Sequence, residues 1–389
     1  MKRPLLIGFA VLALGACSRR VVLPVEPLAA RVSACQAPLP EHALASVPAQ
    51  LPLLAQPPID LTPANPDTAV GRLYEQAYQE LAKMLDGRYP LSFKRAVFLT
   101  ENAYFDNKLD YKDFNALLAE LARTCKTIEE GSRPYFLYEQ SDKEQVLHNA
   151  VLFKLLTETT SFNSGRVLAP YRYDFEDFNG DADWRKMFVS KLLVTHSGNC
   201  HSLPFLYKIL AEETGAQAWL ALAPNHIYLK QHNQKDGWYN TELTSGTFPM
   251  DAWLMASGYI SKETIVSGIY MDTLSARQNV VLCLVDLAKG YEHKRGPASE
   301  SFVLKCTDLA LHYFPHYINA QLLQAEALRI RFERLQKDAA SAQQAYAAVN
   351  AAYTRIYKTG YREMPAQMYA DWLRSVQQAK NKHFNPIKP

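Results

Sequence analysis

The sequence predicts an α+β protein, a small antiparallel sheet flanked by helical regions. Three observations carry this. Apolar residues recur at helical spacing over about residues 67–160 and again over 271–389. Residues 161–270 hold a short helix followed by three strand-like runs. Residues 1–66 stand apart, with 1–16 reading as a signal peptide and 17–66 as a proline-rich spacer. At 389 residues, 48% hydrophobic and 21% charged, the chain has the length for two or three cores and a globular composition. The formal net charge of +3 includes Lys2 and Arg3, both inside the signal. The near-neutral remainder offers no basic excess to nucleic acid or to an anionic membrane surface.

Lys2-Arg3 form a positive start, and Pro4 to Leu14 is an apolar run too short to span a bilayer as a helix. The run ends in Leu14-Gly15-Ala16-Cys17. Small residues before a cysteine fit a narrow peptidase groove, and the thiol then accepts a diacylglyceryl group. This resembles the lipobox of bacterial lipoproteins. Ser18 follows Cys17 where an inner-membrane retention signal carries Asp, so the resemblance implies sorting to the outer membrane, facing the periplasm. The membrane is then a partner only through the lipid on Cys17. Val21 to about Pro66, broken by Pro57-Pro58 and Pro63, reads as a spacer. The six cysteines less Cys17 leave Cys35, Cys125, Cys200, Cys283 and Cys306. An oxidising compartment allows bridges between Cys35 and Cys125 and between Cys283 and Cys306. Alternatively, Cys283 and Cys306 are helical core residues. The odd count leaves a thiol over, and Cys200 is the one expected.

Asp67 is placed to cap a helix with Val70, Leu73, Tyr74, Ala77, Leu81 and Leu85 along one stripe, stopped by Gly87. Further helices are expected at about Leu91–Tyr104, Tyr111–Thr127 and Lys143–Thr157. Asp177, Asn179, Asp181 and Asp183 around Gly180 invite a calcium reading. Counted from Asp177, however, Ala182 and Phe188 occupy the sixth and twelfth positions, where a helix-loop-helix calcium site needs glycine and glutamate. Asp181 or Asp183 is expected instead to cap a helix carrying Trp184, Phe188 and Leu192. Beyond Tyr270 the pattern is helical. Leu287, Ala288 and Tyr291 sit at the offsets of a tetratricopeptide first helix, and Ala310, Leu311 and Pro315 at those of its second helix and exit turn. The gap between them is about three residues too long. Generic helical hairpins fit as well. Either arrangement offers a surface for a protein partner.

Chemistry concentrates in Ser197-Gly198-Asn199-Cys200-His201-Ser202. Leu203 to Thr214 follows as a helix with Leu203, Leu206, Tyr207 and Leu210 inward, Pro204 tolerated in its first turn and Gly215 as its stop. Cys200 therefore lies at a helix N-terminus, in a turn expected to be exposed and entered through Gly198. The partial positive charge there lowers a thiol pKa, and free N–H groups can receive an oxyanion. Ala218–Ala223 reads as a strand, Pro224-Asn225 as a turn and His226–Gln231 as a second strand. His232–Gly237 is then a loop and Trp238–Leu243 the return strand. A thiol needs a base, and the base needs an acceptor on its other ring nitrogen. If the hairpin closes near Lys230–Trp238, His226 lies opposite Glu242, with Asn240 two residues away on the same face. A slip of one residue would turn both away. A metal site from His196, Cys200, His201 and His226 is disfavoured, because adjacent Cys200-His201 is poor ligand spacing. No metal or cofactor is expected. Trp238, Trp253 and Tyr228 read as packing residues, and Trp184 as core in preference to an oxyanion donor.

In order and spacing, Gly198-Asn199-Cys200, His226 at the head of a strand, and Gly237-Trp238 leading to Glu242-Leu243-Thr244 resemble the transglutaminase-like family. The resemblance covers about Trp184 to Trp253. It implies a papain-like core, one helix packed on an antiparallel sheet, with Cys200 as nucleophile, His226 as base and Glu242 as third member. Glu242 stands where the family most often has Asp, and its extra methylene shifts the carboxylate. Asn240 is the alternative third member. The function implied is acyl transfer from an amide or peptide bond, with a peptide or protein of the envelope as substrate. Water as acceptor gives a peptidase or amidase, and an amine gives a transglutaminase. The other reading is a catalytically silent scaffold that binds envelope proteins through its helical region.

Overall fold

The computed structural model describes residues 68–162, 164–336 and 339–383. The signal, Cys17, the spacer with Cys35, and the capping residue Asp67 lie outside the described residues. Helix α1 (Thr68–Leu85) buries Tyr74, Ala77, Leu81 and Leu85 of the stripe read from the sequence, with Leu73 half-buried. Gly87 follows at φ +83°, a left-handed stop that glycine takes without strain. Helix α2 (Phe93–Tyr104) starts where the Ser92 hydroxyl accepts from Arg95 N, and α3 (Tyr111–Ser132) where the Asp110 carboxylate accepts from Lys112 N and Asp113 N. Buried Ile128 carries α3 beyond the expected Thr127. Helix α4 (Lys143–Thr157) matches its expected range.

The acidic loop closes on itself. The Asp177 carboxylate accepts from Ala182 N and Asp183 N. Asp183 accepts from Arg185 N and caps a 3-10 turn at Trp184–Met187. Phe188 is extended and separates that turn from α5 (Val189–Thr195), so the single helix expected here is two pieces.

The sheets are small and the chain is mostly helical, within the α+β class. Strand β1 (Thr160–Ser161) pairs antiparallel with β2 (Val167–Leu168), and β3 (Arg172–Tyr173) pairs parallel with β4 (Ser197–Gly198). The third sheet is the antiparallel β5 (Trp219–Ala223), β6 (His226–Asn233) and β7 (Gly237–Thr241), in that order. Helix α6 (Ser202–Thr214) packs on β5 and β6 and against α3 and α4. Leu206, Tyr207 and Leu210 on its inner face are fully buried. The Tyr207 hydroxyl donates to the Asn149 carbonyl and accepts from Gln231 Nε2, tying α6 to α4 and β6.

Two short helices, α7 (Asp251–Ser257) and α8 (Lys262–Val266), lead to α9 (Ala276–Arg295), which opens with a Ser275/Gln278 capping box. Helices α10 (Glu300–Tyr313), α11 (Ile318–Leu335), α12 (Ala339–Lys358) and α13 (Ala366–His383) complete the chain. From α9 to α12 each helix packs on the next. A 3-10 turn at Gly296–Ser299 takes up the extra length between α9 and α10. Helix α9 also packs on α1 and α2, so the helices before and after the sheet share one core. Tyr291 of α9 lies between Tyr74 and Phe302. Cys283 and Cys306 are free, fully buried thiols rather than a bridged pair, each filling the core as a small apolar side chain, with burial pushing its pKa well up. Cys125 is also free, and burial pushes it up to about 12. Among the described residues, no helix is long and apolar enough to cross a membrane.

One buried carboxyl joins the helical core to the site. Glu101 of α2 accepts from Val189 N at 2.7 Å and Ser190 N at 2.8 Å, holding the start of α5. Burial pushes its pKa up to about 7, outweighing those bonds. A carboxyl raised above its unfolded value favours folding while protonated. Its contribution is complete below the ordinary value of 4.5 and is lost as pH rises through about 7. Stability measured by urea denaturation should therefore fall between about pH 5 and pH 8, by on the order of 2–3 kcal/mol from this group. Glu101→Gln should remove that part of the slope, and an unchanged slope would show that Glu101 is ionised throughout.

Candidate active site

The turn before α6 is built around two small groups. A Cβ on Gly198 would collide with Ser202 Oγ and lie 2.8 Å from Leu192 Cδ1, so a side chain here would have to displace two buried residues. Asn199 is fully buried. Its Oδ1 accepts from His201 N at 3.0 Å and Ser202 N at 3.1 Å, and its Nδ2 donates to the Phe178 carbonyl at 2.9 Å. Ser202 Oγ in turn accepts from Asn199 N. These bonds span Cys200, which lies between Asn199 and its partners His201 and Ser202, and they fix the turn that carries it. The turn is not exposed as expected: Cys200 is only 8% accessible.

A tight turn delivers the second group. Ala223 pairs with His226 across Pro224-Asn225. Proline holds φ near −65° and Asn225 has φ +54°, the combination of a type II turn. His226 becomes the first residue of β6, and the Asn225 carbonyl lies 3.7 Å from Cys200 Sγ.

The hairpin register differs from the expected one by two residues. Lys230 pairs with Asn240 rather than Trp238, because β6 runs on to Asn233 and the loop is only Gln234 to Asp236. A two-residue shift leaves every side chain on its own face. Continued past β7, the observed register makes Glu242 a diagonal neighbour of His226. Diagonal pairs are ~7–8 Å apart, a span suited to the longer glutamate. His226 Nε2 meets Glu242 Oε2 at 2.5 Å, and Glu242 Oε1 accepts from Thr244 N at 2.8 Å. Asn240 is engaged elsewhere, donating to the Pro249 carbonyl at 3.0 Å and to Asp251 Oδ1 at 2.7 Å.

The charges of the three groups support one another. Burial pushes the Cys200 thiol up, but His226, with Tyr173 and Tyr369, outweighs it and holds the thiol below its ordinary value. Burial pushes His226 down, but Glu242 and Cys200 more than reverse this. Burial pushes Glu242 up, and His226 and Thr244 bring it below the usual carboxylate value. Each shift favours the charged form of its group: thiolate, imidazolium and carboxylate.

The structure brings together Cys200, His226 and Glu242, and not the other residues considered. His201 Nδ1 meets the Met187 carbonyl and Nε2 meets Asp286, while His196 stacks on Tyr171, so the four residues weighed for a metal are split. Among the described residues, the group with the spacing to hold an ion is Glu129, Glu144 and His148, and Arg133 pairs with both of its carboxylates. Trp184 stacks on His293 of α9. Trp238 is half-exposed beside Trp219 and His232. Trp253 packs on the core, and buried Tyr228 lies parallel to His226.

Sequence reasoning missed the residues around the sulfur. Tyr173 is placed by the pairing of β3 with β4 and acts on the thiol. Tyr369 and Trp372 arrive from α13: the Tyr369 hydroxyl is 3.9 Å from Cys200 Sγ, and Trp372 stands edge-on to His226 at 5.0 Å. On a helix their spacing looks like any core face, so nothing in the sequence pointed to them.

No protein-family model and no curated protein matches the chain. A solved structure described as "Crystal structure of menin reveals the binding site for Mixed Lineage Leukemia (MLL) protein" is similar over 76% of this chain and 72% of that one. Its sequence identity is 13% and its TM-score 0.29, too low to carry an argument about fold or function.

Glu242 should control the charge on the pair. Glu242→Gln removes the carboxylate that raises His226, so His226 should fall and the Cys200 thiol rise. In alkylation of Cys200 followed against pH, the midpoint should move up by about one unit, slowing the reaction roughly tenfold below it. An unmoved midpoint would mean that Glu242 does not set the charge state.

Proposed function

We propose that the chain is an envelope-anchored thiol acyl-transfer enzyme of transglutaminase-like type, acting on an amide or peptide bond through Cys200, His226 and Glu242. The observation that carries this reading is the buried row in which His226 gives Nε2 to Glu242 and has its other nitrogen left for Cys200. The packing of α6 on β5 and β6 supports the papain-like core that the resemblance implies. The anchor at Cys17 rests on the lipobox-like residues, and an outer-membrane, periplasm-facing site makes a peptide or protein of the envelope the expected substrate.

In the proposed reaction the Cys200 thiolate attacks the amide carbonyl carbon, forming a C–S bond and an oxyanion. The Asn199, His201 and Ser202 N–H groups are taken by side chains of the turn, which leaves the Cys200 N–H to receive the oxyanion. The C–N bond breaks as His226 gives its proton to the departing nitrogen, and a thioester remains. Water or an amine, deprotonated by His226, then attacks the thioester and releases Cys200. Water gives a peptidase or amidase, and an amine gives a transglutaminase.

One observation favours the second reading, a catalytically silent scaffold binding envelope proteins through its helices. Cys200 and His226 are buried beneath Tyr369 and Trp372. Alkylation of the full chain in the presence of peptide and amine-donor substrates separates the two. Under the enzyme reading, Cys200 labels selectively, His226→Ala slows it by about 10²-fold or more, and peptide substrate protects it. Labelling indifferent to His226→Ala, with no product from either kind of substrate, would leave the scaffold.

A further inference from the structure

Helix α13 turns one narrow face inward. Tyr369, Trp372 and Leu373, at helical spacing i, i+3 and i+4, are buried, while the Asp371–Arg374 ion pair on the opposite side is well exposed. The Tyr369 hydroxyl reaches Cys200 Sγ at 3.9 Å and donates to the Asn225 carbonyl at 3.3 Å. Its ring meets Phe178 edge-on at 5.2 Å, and Trp372 covers His226. The sulfur and its base lie under this helix.

The contact between α13 and the site is partly polar. His226 Nδ1 and the Tyr173 hydroxyl face the Cys200 sulfur, and the Tyr369 hydroxyl joins them. Trp372 Nε1, beside His226, is buried without a hydrogen-bond partner. A donor left so has lost its hydrogen bond to water, and that cost is recovered when the helix lifts and water reaches it. The groove already accepts one polypeptide segment, α13, and a second can take the same place with its own N–H and carbonyl groups. Glu242, Asn225 and Tyr228 complete the surroundings of His226 and already have their places in the site.

We propose that α13 is a tethered occupant of a polypeptide-binding groove, holding Cys200 inaccessible until a polypeptide substrate displaces it. The proposal rests on the acyl-transfer reading of Cys200 and His226, and it adds to it both the regulation of the site and the class of molecule that enters. A small amide would have to pass beneath the helix. A polypeptide segment can take its place.

The test is alkylation of Cys200 by iodoacetamide in the full chain, located by peptide mapping and followed across pH. Tyr369→Ala with Trp372→Ala should speed it by about tenfold or more, and so should Leu373→Glu, which keeps both aromatic residues. A peptide of residues 360–375 added in trans should slow the variants again, and the same peptide with alanine at 369 and 372 should not. Buried Cys125, Cys283 and Cys306 report on folding, and should stay unlabelled. An unchanged Cys200 rate in both variants overturns the proposal. If the other cysteines label, hydrogen exchange in the unmodified chain decides: α13 amides should exchange well before those of α9, and equal protection overturns the proposal. The failures are separable. Faster labelling with an ordinary thiol midpoint keeps the role of the helix and removes the acyl-transfer reading. A lowered midpoint without acceleration does the reverse.

Discussion

An ionised side chain taken out of water has to find its counter-charge in the same interior, and the contact of His226 with Glu242 is where this protein meets that demand. Both groups are almost fully buried. Separated, each would revert to its neutral form. Together they hold an imidazolium, and the imidazolium favours the thiolate at Cys200. The geometry around them serves this contact. The Pro224-Asn225 turn starts β6 at His226, the even register keeps Glu242 on the same face, and Thr244 N holds the second carboxylate oxygen.

The position of the sulfur is fixed by a different kind of bond. Asn199, carrying no charge, is joined to the Cys200 turn and to Phe178 by hydrogen bonds that water does not reach. Beyond it, His201 meets Asp286 on α9, and Glu101 on α2 holds the start of α5. The site is thus tied to the helical layer at its back. Because α9 packs on α1 and α2 as well as on α10, helices from before and after the sheet act together as one support for the turn.

The parts legible in the sequence were those with local causes. The stops at Gly87 and Gly215 were legible because a left-handed stop is decided by the residue itself, and the helices themselves were legible from their apolar spacing. Cys200 and His226 were legible from element order. Glu242 was found through a register two residues off, and it survived because side chains alternate. The burial of the turn was not legible: Gly-Asn-Cys-His-Ser reads as a solvated loop until Phe178, Met187 and α13 are folded over it. The Cys283–Cys306 bridge failed for a similar reason, since two buried thiols on neighbouring helices have the same apolar surroundings whether or not they are joined. The 3-10 break at Phe188 and the arrival of Tyr369 depend on packing between distant segments, and distance in the chain leaves no pattern to read.

The free cysteines have a consequence for the chemical lifetime of the protein. Oxidants attack the thiolate and not the thiol. Burial keeps Cys125, Cys283 and Cys306 protonated, whereas Cys200 is held toward its charged form. Among the described residues, Cys200 is therefore where peroxide would strike first, giving a sulfenic acid. Tyr369 and Trp372 cover the sulfur and its base, and slow that oxidation by limiting access.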